Sequence, residues 1–354
     1  MDFFNNACHG PSNGVLKKFA AMFKPILISI FLISFANHPS AAQELIDRKN
    51  IDHQKISANY DKLKKAADAG SAEAQYKLGS FYFYGKPCFK EDYAKALIWL
   101  TKAARQGHLD AMNHAAWTHQ YIYGATNRAH ALWKRAASRG YGKSMFNIAR
   151  GFEKGWWEGK PDIALAIKWF VRAGNNGYPG SFNEIGNMYS SGRGVPKNPR
   201  IAVEYYRKAA ESGGGPAQYN LGLAYELGRG VTQNYSRAAQ LYLLAAKQGY
   251  YWPMYRLARL YQLGKGIEKS DGHAALWYRR SAMHGYAPAQ YAYGKLLETG
   301  RGTIRSKLLA AQQFDKAARQ GHFGAKISLN EIKVRNPAIK LPKQYSTESR
   351  PCIS

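Results

Sequence analysis

Four histidines crowd one short stretch of this 354-residue chain, and such a cluster could bind a metal ion or act in acid–base catalysis. They are His108, His114, His119 and His130. Two histidines bind one metal ion from a helix when they lie three or four residues apart, because that spacing places both rings on one face. His114 and His119 are five apart, and no acidic residue stands at a metalloprotease spacing from them. The sequence therefore predicts solvated or partly packed histidines, with no metal, no cofactor and no catalytic residue.

A second segment, residues 138–144, ends in Gly-Lys-Ser and resembles a loop that cradles phosphate groups. Such a loop needs an earlier glycine, where this chain has Ala137, and it follows a β-strand, which this sequence does not predict here. An ordinary turn between two helices accounts for the same residues. The chain also lacks the Gly-x-Ser-x-Gly elbow of serine hydrolases. The sequence therefore predicts a protein that is not an enzyme.

Charge is the most unusual feature of the composition. Lys and Arg number 51 against 23 Asp and Glu, which gives a formal charge of +28. So basic a chain favours anionic partners, such as an acidic protein segment or an anionic envelope surface. Nucleic acid is disfavoured, because no nucleic-acid-binding module appears and the chain looks exported. The alternative is that much of the charge belongs to solvated Lys and Arg on outer helices.

The first 42 residues have the order of a secretory signal peptide. A segment with three lysines precedes the apolar run 26–36, and small residues up to Ala42 offer a cleavage point. The apolar run has 11 residues, which is too short to span a bilayer as a helix. The sequence predicts export, with cleavage near Ala42 and a mature chain in the periplasm or outside the cell. Met1 and Met22 both remain candidates for the start of this signal.

The rest of the chain repeats itself with a period near 36 residues. The phrase Ala-Ala-x-x-Gly, or a close variant, recurs eight times, and its last five glycines stand 36 residues apart. A helix with small and apolar residues three and four apart follows the glycine, then a glycine-rich turn, then a second helix. A period of this length is typical of a solenoid of stacked helix pairs. The repeat glycines are Gly70, Gly107, Gly140, Gly177, Gly213, Gly249, Gly285 and Gly321.

Residues 217–231, AQYNLGLAYELGRGV, resemble the Sel-one-like repeat (SLR) family, a relative of the tetratricopeptide repeats. The family pattern is Ala-x-x-x-Leu-Gly-x-x-Tyr-x-x-Gly-x-Gly-Val, followed by a helix that ends in Ala-Ala-x-x-Gly. The resemblance implies an all-α, right-handed solenoid of about seven helix-turn-helix repeats with a half-repeat cap at each end. Two copies depart from the pattern. Residues 108–140 are three residues short and lack the Gly-x-Gly turn, and the next copy has Gly155-Trp156-Trp157 in its place.

The predicted organisation follows from where the repeats begin and end. Asn330 and Lys333 replace the Gly and Tyr of the pattern, and polar residues there suit a last helix that faces water. Cys88 and Cys352 lie near opposite ends of the mature chain, and we expect no bond between them. The predicted segments are a signal peptide (1–42), a linker and capping helix (43–70), SLR repeats (71–321), a capping helix (322–335) and a disordered tail (336–354).

Each repeat also carries a stripe that lies off the predicted packing face of its first helix. Counted from the repeat glycine, offsets 6, 10 and 13 recur on one side of that helix, and the resemblance implies that this side lines a concave surface. Aromatic and basic residues on such a groove are typical anchors for a protein partner, here an acidic or extended segment. The alternative is that the tyrosines only pack between adjacent repeats. The predicted protein-binding residues are Tyr76, Trp117, Arg150, Tyr219, Tyr255, Arg259, Tyr291 and Lys295.

The resemblance and the predicted export together suggest three functions. The first is an exported, non-enzymatic binding scaffold or adaptor in bacterial envelope signalling or regulation, for example in the control of exopolysaccharide. The second is a secreted factor that interacts with host proteins. The third, from another class, is an envelope hydrolase, for which the sequence offers no convergent acid, base and nucleophile.

Overall fold

The computed structural model describes residues 59–85, 91–339 and 341. The predicted signal peptide, Cys88, Cys352 and most of the predicted tail lie outside these residues. Within them the chain forms sixteen α-helices and no strand, and no helix is long and apolar enough to cross a membrane. Helix α1 covers 59–68. The remaining helices form seven pairs and a final unpaired helix, so the predicted all-α solenoid of seven repeats with half-repeat ends is confirmed.

Each pair consists of a first helix and a second helix, joined by the glycine-rich turn. The first helices are α2 (Ala72–Tyr84), α4 (Leu109–Tyr121), α6 (Gly142–Lys154), α8 (Gly180–Ser191), α10 (Gly215–Leu227), α12 (Tyr251–Leu263), α14 (Ala287–Thr299) and α16 (Phe323–Arg335). The second helices are α3 (Tyr93–Arg105), α5 (Thr126–Ala137), α7 (Ile163–Asn175), α9 (Pro199–Glu211), α11 (Tyr235–Lys247), α13 (Asp271–Met283) and α15 (Lys307–Arg319).

Local sequence sets the ends of these helices. Gly228 ends α10 in the left-handed conformation at φ 66°, and Gly230 follows at φ 75°, as predicted for the Gly-x-Gly turn. Six of the seven second helices named above then begin with a side chain that accepts a hydrogen bond from the backbone of the first turn, which stabilises the start of the helix. These capping residues are Asp92, Asp162, Asn198, Asn234, Ser270 and Ser306.

Glycines inside the first helices admit a large side chain from the paired second helix. A Cβ atom on Gly222 would lie 2.7 Å from the ring of Tyr242, which is fully buried. The group that approaches the glycine closely is thus a side chain within the same repeat. The same relation joins Gly79 to Leu100, Gly186 to Tyr206, and Gly294 to Phe314.

Glutamines tie the two ends of one repeat together. The Nε2 atom of Gln248, directly after α11, donates to Oε1 of the buried Gln218 in the first turn of α10 and to the carbonyl oxygen of Gly213, each at 3.0 Å. This arrangement satisfies a buried amide oxygen and pins the end of the second helix to the start of the first helix of the same repeat. Equivalent glutamine pairs are Gln106 with Gln75 and Gln320 with Gln290.

The two irregular repeats keep their helices. Only residues 122–125 connect α4 to α5, whereas residues 228–234 connect α10 to α11, so the deletion shortens the turn alone. In the next repeat, the ring of Trp157 covers Gly151 and stacks on His130 at 3.9 Å between ring centroids. The Gly-Lys-Ser segment is the inter-repeat turn and the start of α6, as predicted.

Candidate functional site

The eight predicted binding residues all lie half-buried on the first helices. Their four tyrosines contact aromatic residues that begin the next repeat, so part of each ring serves the packing alternative considered above. Each of these rings is half-buried. The ring centroids lie 4.4 Å apart for Tyr76 and His108, 6.3 Å for Tyr219 and Trp252, 5.3 Å for Tyr255 and Tyr286, and 4.6 Å for Tyr291 and His322.

The predicted cations differ in how much charge they offer to a partner. Arg150 lies 3.1 Å from the carboxylates of both Glu153 and Glu184. The Nζ atom of Lys295 lies 2.8 Å from Glu298. Within the described part of the chain, Arg259 is the predicted cation with no carboxylate in ion-pair range. An acidic partner would therefore meet its strongest unbalanced charge at Arg259.

Arg150 belongs to a four-residue ionic network between the third and fourth repeats. The side chains of Glu153 and Glu184 are only 4% and 6% exposed. Arg193, from the glycine-rich turn after α8, contacts Glu184 and places its Nε atom 3.0 Å from Glu153, at an angle that suits an ion pair better than a hydrogen bond. Two guanidinium groups thus balance two buried carboxylates, and the network ties α6 to α8.

The exposed stripe ends at offset 14 instead of the predicted offset 13. At offset 13, Glu226 turns inward, where it accepts a 2.5 Å hydrogen bond from Tyr242 and pairs with Arg256 at 3.3 Å. At offset 14, large apolar side chains stand 44–54% exposed. These are Tyr84, Tyr121, Leu227 and Leu263, and Trp252 at offset 3 adds a fifth such side chain. The spacing i, i+3, i+7, i+11 from offset 3 was the signal that could have identified them.

We call the residues at offsets 3, 6, 10 and 14 of the first helices the first-helix stripe. At its N-terminal end, the stripe residues Trp117 and Tyr121 join Phe83 and Trp156, which lie beside the stripe, in a row of aromatic rings from three repeats. The centroids of Phe83 and Trp117 lie 5.1 Å apart, those of Trp117 and Tyr121 4.9 Å apart, and those of Tyr121 and Trp156 5.7 Å apart. Tyr121 is exposed and the other three rings are half-buried, and aromatic residues at a surface are frequent anchors in protein interfaces.

The histidines support this row by packing. The Nδ1 atom of His114 donates to the carbonyl oxygen of Asp110 at 2.8 Å, so its Nε2 atom accepts from the hydroxyl of Tyr84 at 2.9 Å. Burial lowers the pKa of His114, which favours this neutral form. His108 caps α4, and burial lowers the pKa of His130 to about 4. Among the described residues, no group of three or more potential metal ligands converges.

Comparison with known proteins places these features in a family context. The Sel1 repeat family model matches residues 72–108, 125–141, 142–178, 183–214, 215–250, 254–286 and 287–322, and leaves the irregular helix α4 outside. A solved Sel1 repeat protein from Oxalobacter formigenes is 28% identical, with a TM-score of 0.57 over 79% of this chain and 81% of that protein.

Two curated relatives match shorter stretches. The ERAD-associated E3 ubiquitin-protein ligase component HRD3B of Arabidopsis thaliana is 27% identical over 140 residues, which is 40% of this chain and 17% of that protein. Chitin synthase regulatory factor 3 of Schizosaccharomyces pombe is 31% identical over 128 residues, which is 34% of this chain and 13% of that protein. The matched stretches thus span less than a fifth of either relative's length.

Proposed function

The chain belongs to the Sel1 repeat family, and from this membership we propose that it is a non-enzymatic scaffold that binds a protein partner along its first-helix stripe. Sel1 repeats mediate protein–protein interaction. The observation that carries the proposal is the set of exposed apolar side chains at one equivalent position in two pairs of neighbouring repeats, the first with the second and the fifth with the sixth. Exposed apolar residues that lie close together mark interaction sites more often than scattered ones do. An extended segment with regularly spaced apolar residues would fit this line.

The proposed biological role is that of an exported adaptor in envelope signalling or regulation, for example in exopolysaccharide control. The names of the two curated relatives describe proteins that serve an enzyme, a ubiquitin ligase and a chitin synthase, and this supports an adaptor role. The alternative is a secreted factor that interacts with host proteins. An envelope hydrolase has less support, because two shallow depressions on the described surface, one at residues 124–128 and one beside Tyr225, are lined by no carboxylate, cysteine or histidine. Cell fractionation followed by immunoblotting distinguishes a periplasmic protein from a secreted one.

The test of stripe binding compares two pairs of exposed apolar residues. The double variant Trp252→Ser/Leu263→Ser alters the stripe, and Phe323→Ser/Val334→Ser alters two more exposed apolar residues on the end helix α16. Proteins from envelope extracts are captured on each immobilised variant and compared by mass spectrometry. We expect the stripe variant to lose a partner that the wild type and the control retain. A partner that binds all three equally would move the site off the stripe.

Charge in the partner is tested separately with Arg259→Glu/Lys295→Glu. Surface substitutions usually change stability by about ±0.5 kcal/mol, so the fold should stay intact. An acidic partner should bind this variant more weakly, because like charges would then face each other. A partner that binds it as well as the wild type would limit recognition to the apolar side chains.

A further inference from the structure

Among the paired helices, the excess positive charge lies mainly on the second helices. The seven second helices together carry 18 Lys and Arg against 4 Asp and Glu. The eight first helices from α2 to α16 carry 10 against 7. The two faces of the repeats therefore differ in charge, and the first-helix stripe does not account for the basicity of the chain.

The last three second helices combine this charge with exposed apolar side chains. Counted back from the repeat glycine, offsets 12, 9, 5 and 2 form the outward side of each second helix. On α11, α13 and α15 these positions hold five cations, four large apolar residues, two glutamines and one histidine, with no carboxylate. We call these twelve residues the outer patch: Arg237, Gln240, Leu244, Lys247, His273, Leu276, Arg280, Met283, Leu309, Gln312, Lys316 and Arg319.

The apolar members of the outer patch are well exposed. Leu244, Leu276, Met283 and Leu309 are 41–66% exposed, with Met283 the highest. The patch has a defined edge, because the same positions of the preceding second helix, α9, include Glu204. The earlier helices α5 and α7 carry cations at these positions and no exposed Leu or Met. At the other end, α3 has cations with the single exposed apolar residue Ile98, so it is on the last three second helices that cations coincide with several exposed apolar residues.

Most cations of the outer patch are unbalanced within the described chain. Of the nearby acids, Asp315 pairs with Arg319 at 2.8 Å and Asp271 pairs with Arg301 outside the patch at 3.0 Å. The described residues place no carboxylate in ion-pair range of the other four cations. The guanidinium of Arg280 lies 4.6 Å from the centroid of the Trp277 ring, which holds it at the surface. The four are Arg237, Lys247, Arg280 and Lys316.

We propose that the outer patch binds the surface of an anionic lipid bilayer. Lysine and arginine meet the phosphates of the headgroups, and exposed Leu and Met enter the boundary between headgroups and acyl chains. A soluble polyanion would use the cations and leave the apolar side chains in water, so the coincidence of both favours a membrane surface. The patch spans three neighbouring repeats. It lies on the second helices and is independent of the first-helix stripe.

The test measures flotation of the purified chain with vesicles of phosphatidylcholine alone and of phosphatidylglycerol mixed with phosphatidylcholine. We expect binding to the mixed vesicles alone. Lys247→Glu/Lys316→Glu should weaken it at least about 25-fold, since each cation near an anionic surface contributes about a fivefold change. Lys134→Glu/Lys168→Glu, on α5 and α7, removes the same charge outside the patch and should have a much smaller effect.

A third variant tests the apolar half of the patch. Leu244→Gln/Met283→Gln should reduce binding about tenfold by removing the apolar contact, and all variants should keep the helical circular dichroism of the wild type. If Lys247→Glu/Lys316→Glu and Lys134→Glu/Lys168→Glu weaken vesicle binding equally, the binding comes from diffuse electrostatic attraction, and the proposal of a defined patch is wrong. If the charge substitutions weaken vesicle binding and Leu244→Gln/Met283→Gln does not, the apolar residues do not contact the bilayer, and the patch is a site for soluble anions. Absence of vesicle binding by the wild type would overturn the proposal and leave an acidic protein as the candidate.

Discussion

Arg150→Ala separates a structural role of a stripe residue from a role in binding. Sequence reasoning placed Arg150 on a partner-binding groove, whereas the structure surrounds its guanidinium with Glu153 and Glu184 at 3.1 Å. The Arg150 side chain is 13% exposed, and both carboxylates are nearly inaccessible to water. Its removal leaves two buried negative charges to share Arg193.

The expected loss of stability follows from this burial. Removing one partner of a buried ion pair destabilises a protein by about 3–5 kcal/mol, because the remaining charge is left uncompensated. Arg193 stays in place here, so we expect the lower end, about 3 kcal/mol. With a urea dependence of about 3 kcal/mol per molar, the unfolding midpoint should fall by about 1 M.

Unfolding in urea, followed by the helical circular dichroism signal, provides the assay. Lys295→Ala is the matched control, because its pair with Glu298 is 2.8 Å long and its side chain is 42% exposed. Exposed pairs contribute under about 1 kcal/mol, so this variant should unfold close to the wild type. Adding Glu153→Gln to Arg150→Ala should recover part of the loss. If Arg150→Ala unfolds as late as Lys295→Ala, the network does not stabilise the array and the reasoning fails.

Two further predictions concern packing and pH. Gly222→Ala should destabilise the protein by about 1–3 kcal/mol, because the new Cβ would lie 2.7 Å from the Tyr242 ring. Gly272→Ala, in the open first turn of α13, should instead stabilise by about 0.4–1 kcal/mol, and urea midpoints of both variants show whether the signs differ. His130 has a pKa of about 4 in the folded chain, below the ordinary value of about 6.5, so the unfolded chain takes up its proton first. Stability should therefore fall as pH drops from about 6.5 towards 4, and His130→Phe should show a smaller fall in its urea midpoint over that range.

The repeat architecture could be predicted from sequence because its determinants are local. A positive φ at Gly228 is required by a turn of a few residues, and glycine adopts it without strain. The capping side chain of Asn234 reaches a backbone amide three residues ahead. The period of the glycines also indicated the stacking of pairs. Signals of this kind act within one repeat and recur in the next, so a single sequence contains several copies of each.

The environment of the surface residues depended on tertiary structure. The second carboxylate that pairs with Arg150 belongs to Glu184, 34 residues away. No residue spacing within one helix predicts that contact. Leu263 stands exposed at offset 14 while Glu226, at the neighbouring offset 13, is drawn into a pair with Arg256 of the next repeat. Helical periodicity places residues on a face of their own helix, with about 100° between successive side chains. Which neighbour that face meets depends on how one helix pair rotates against the next, and this rotation is set by packing between repeats.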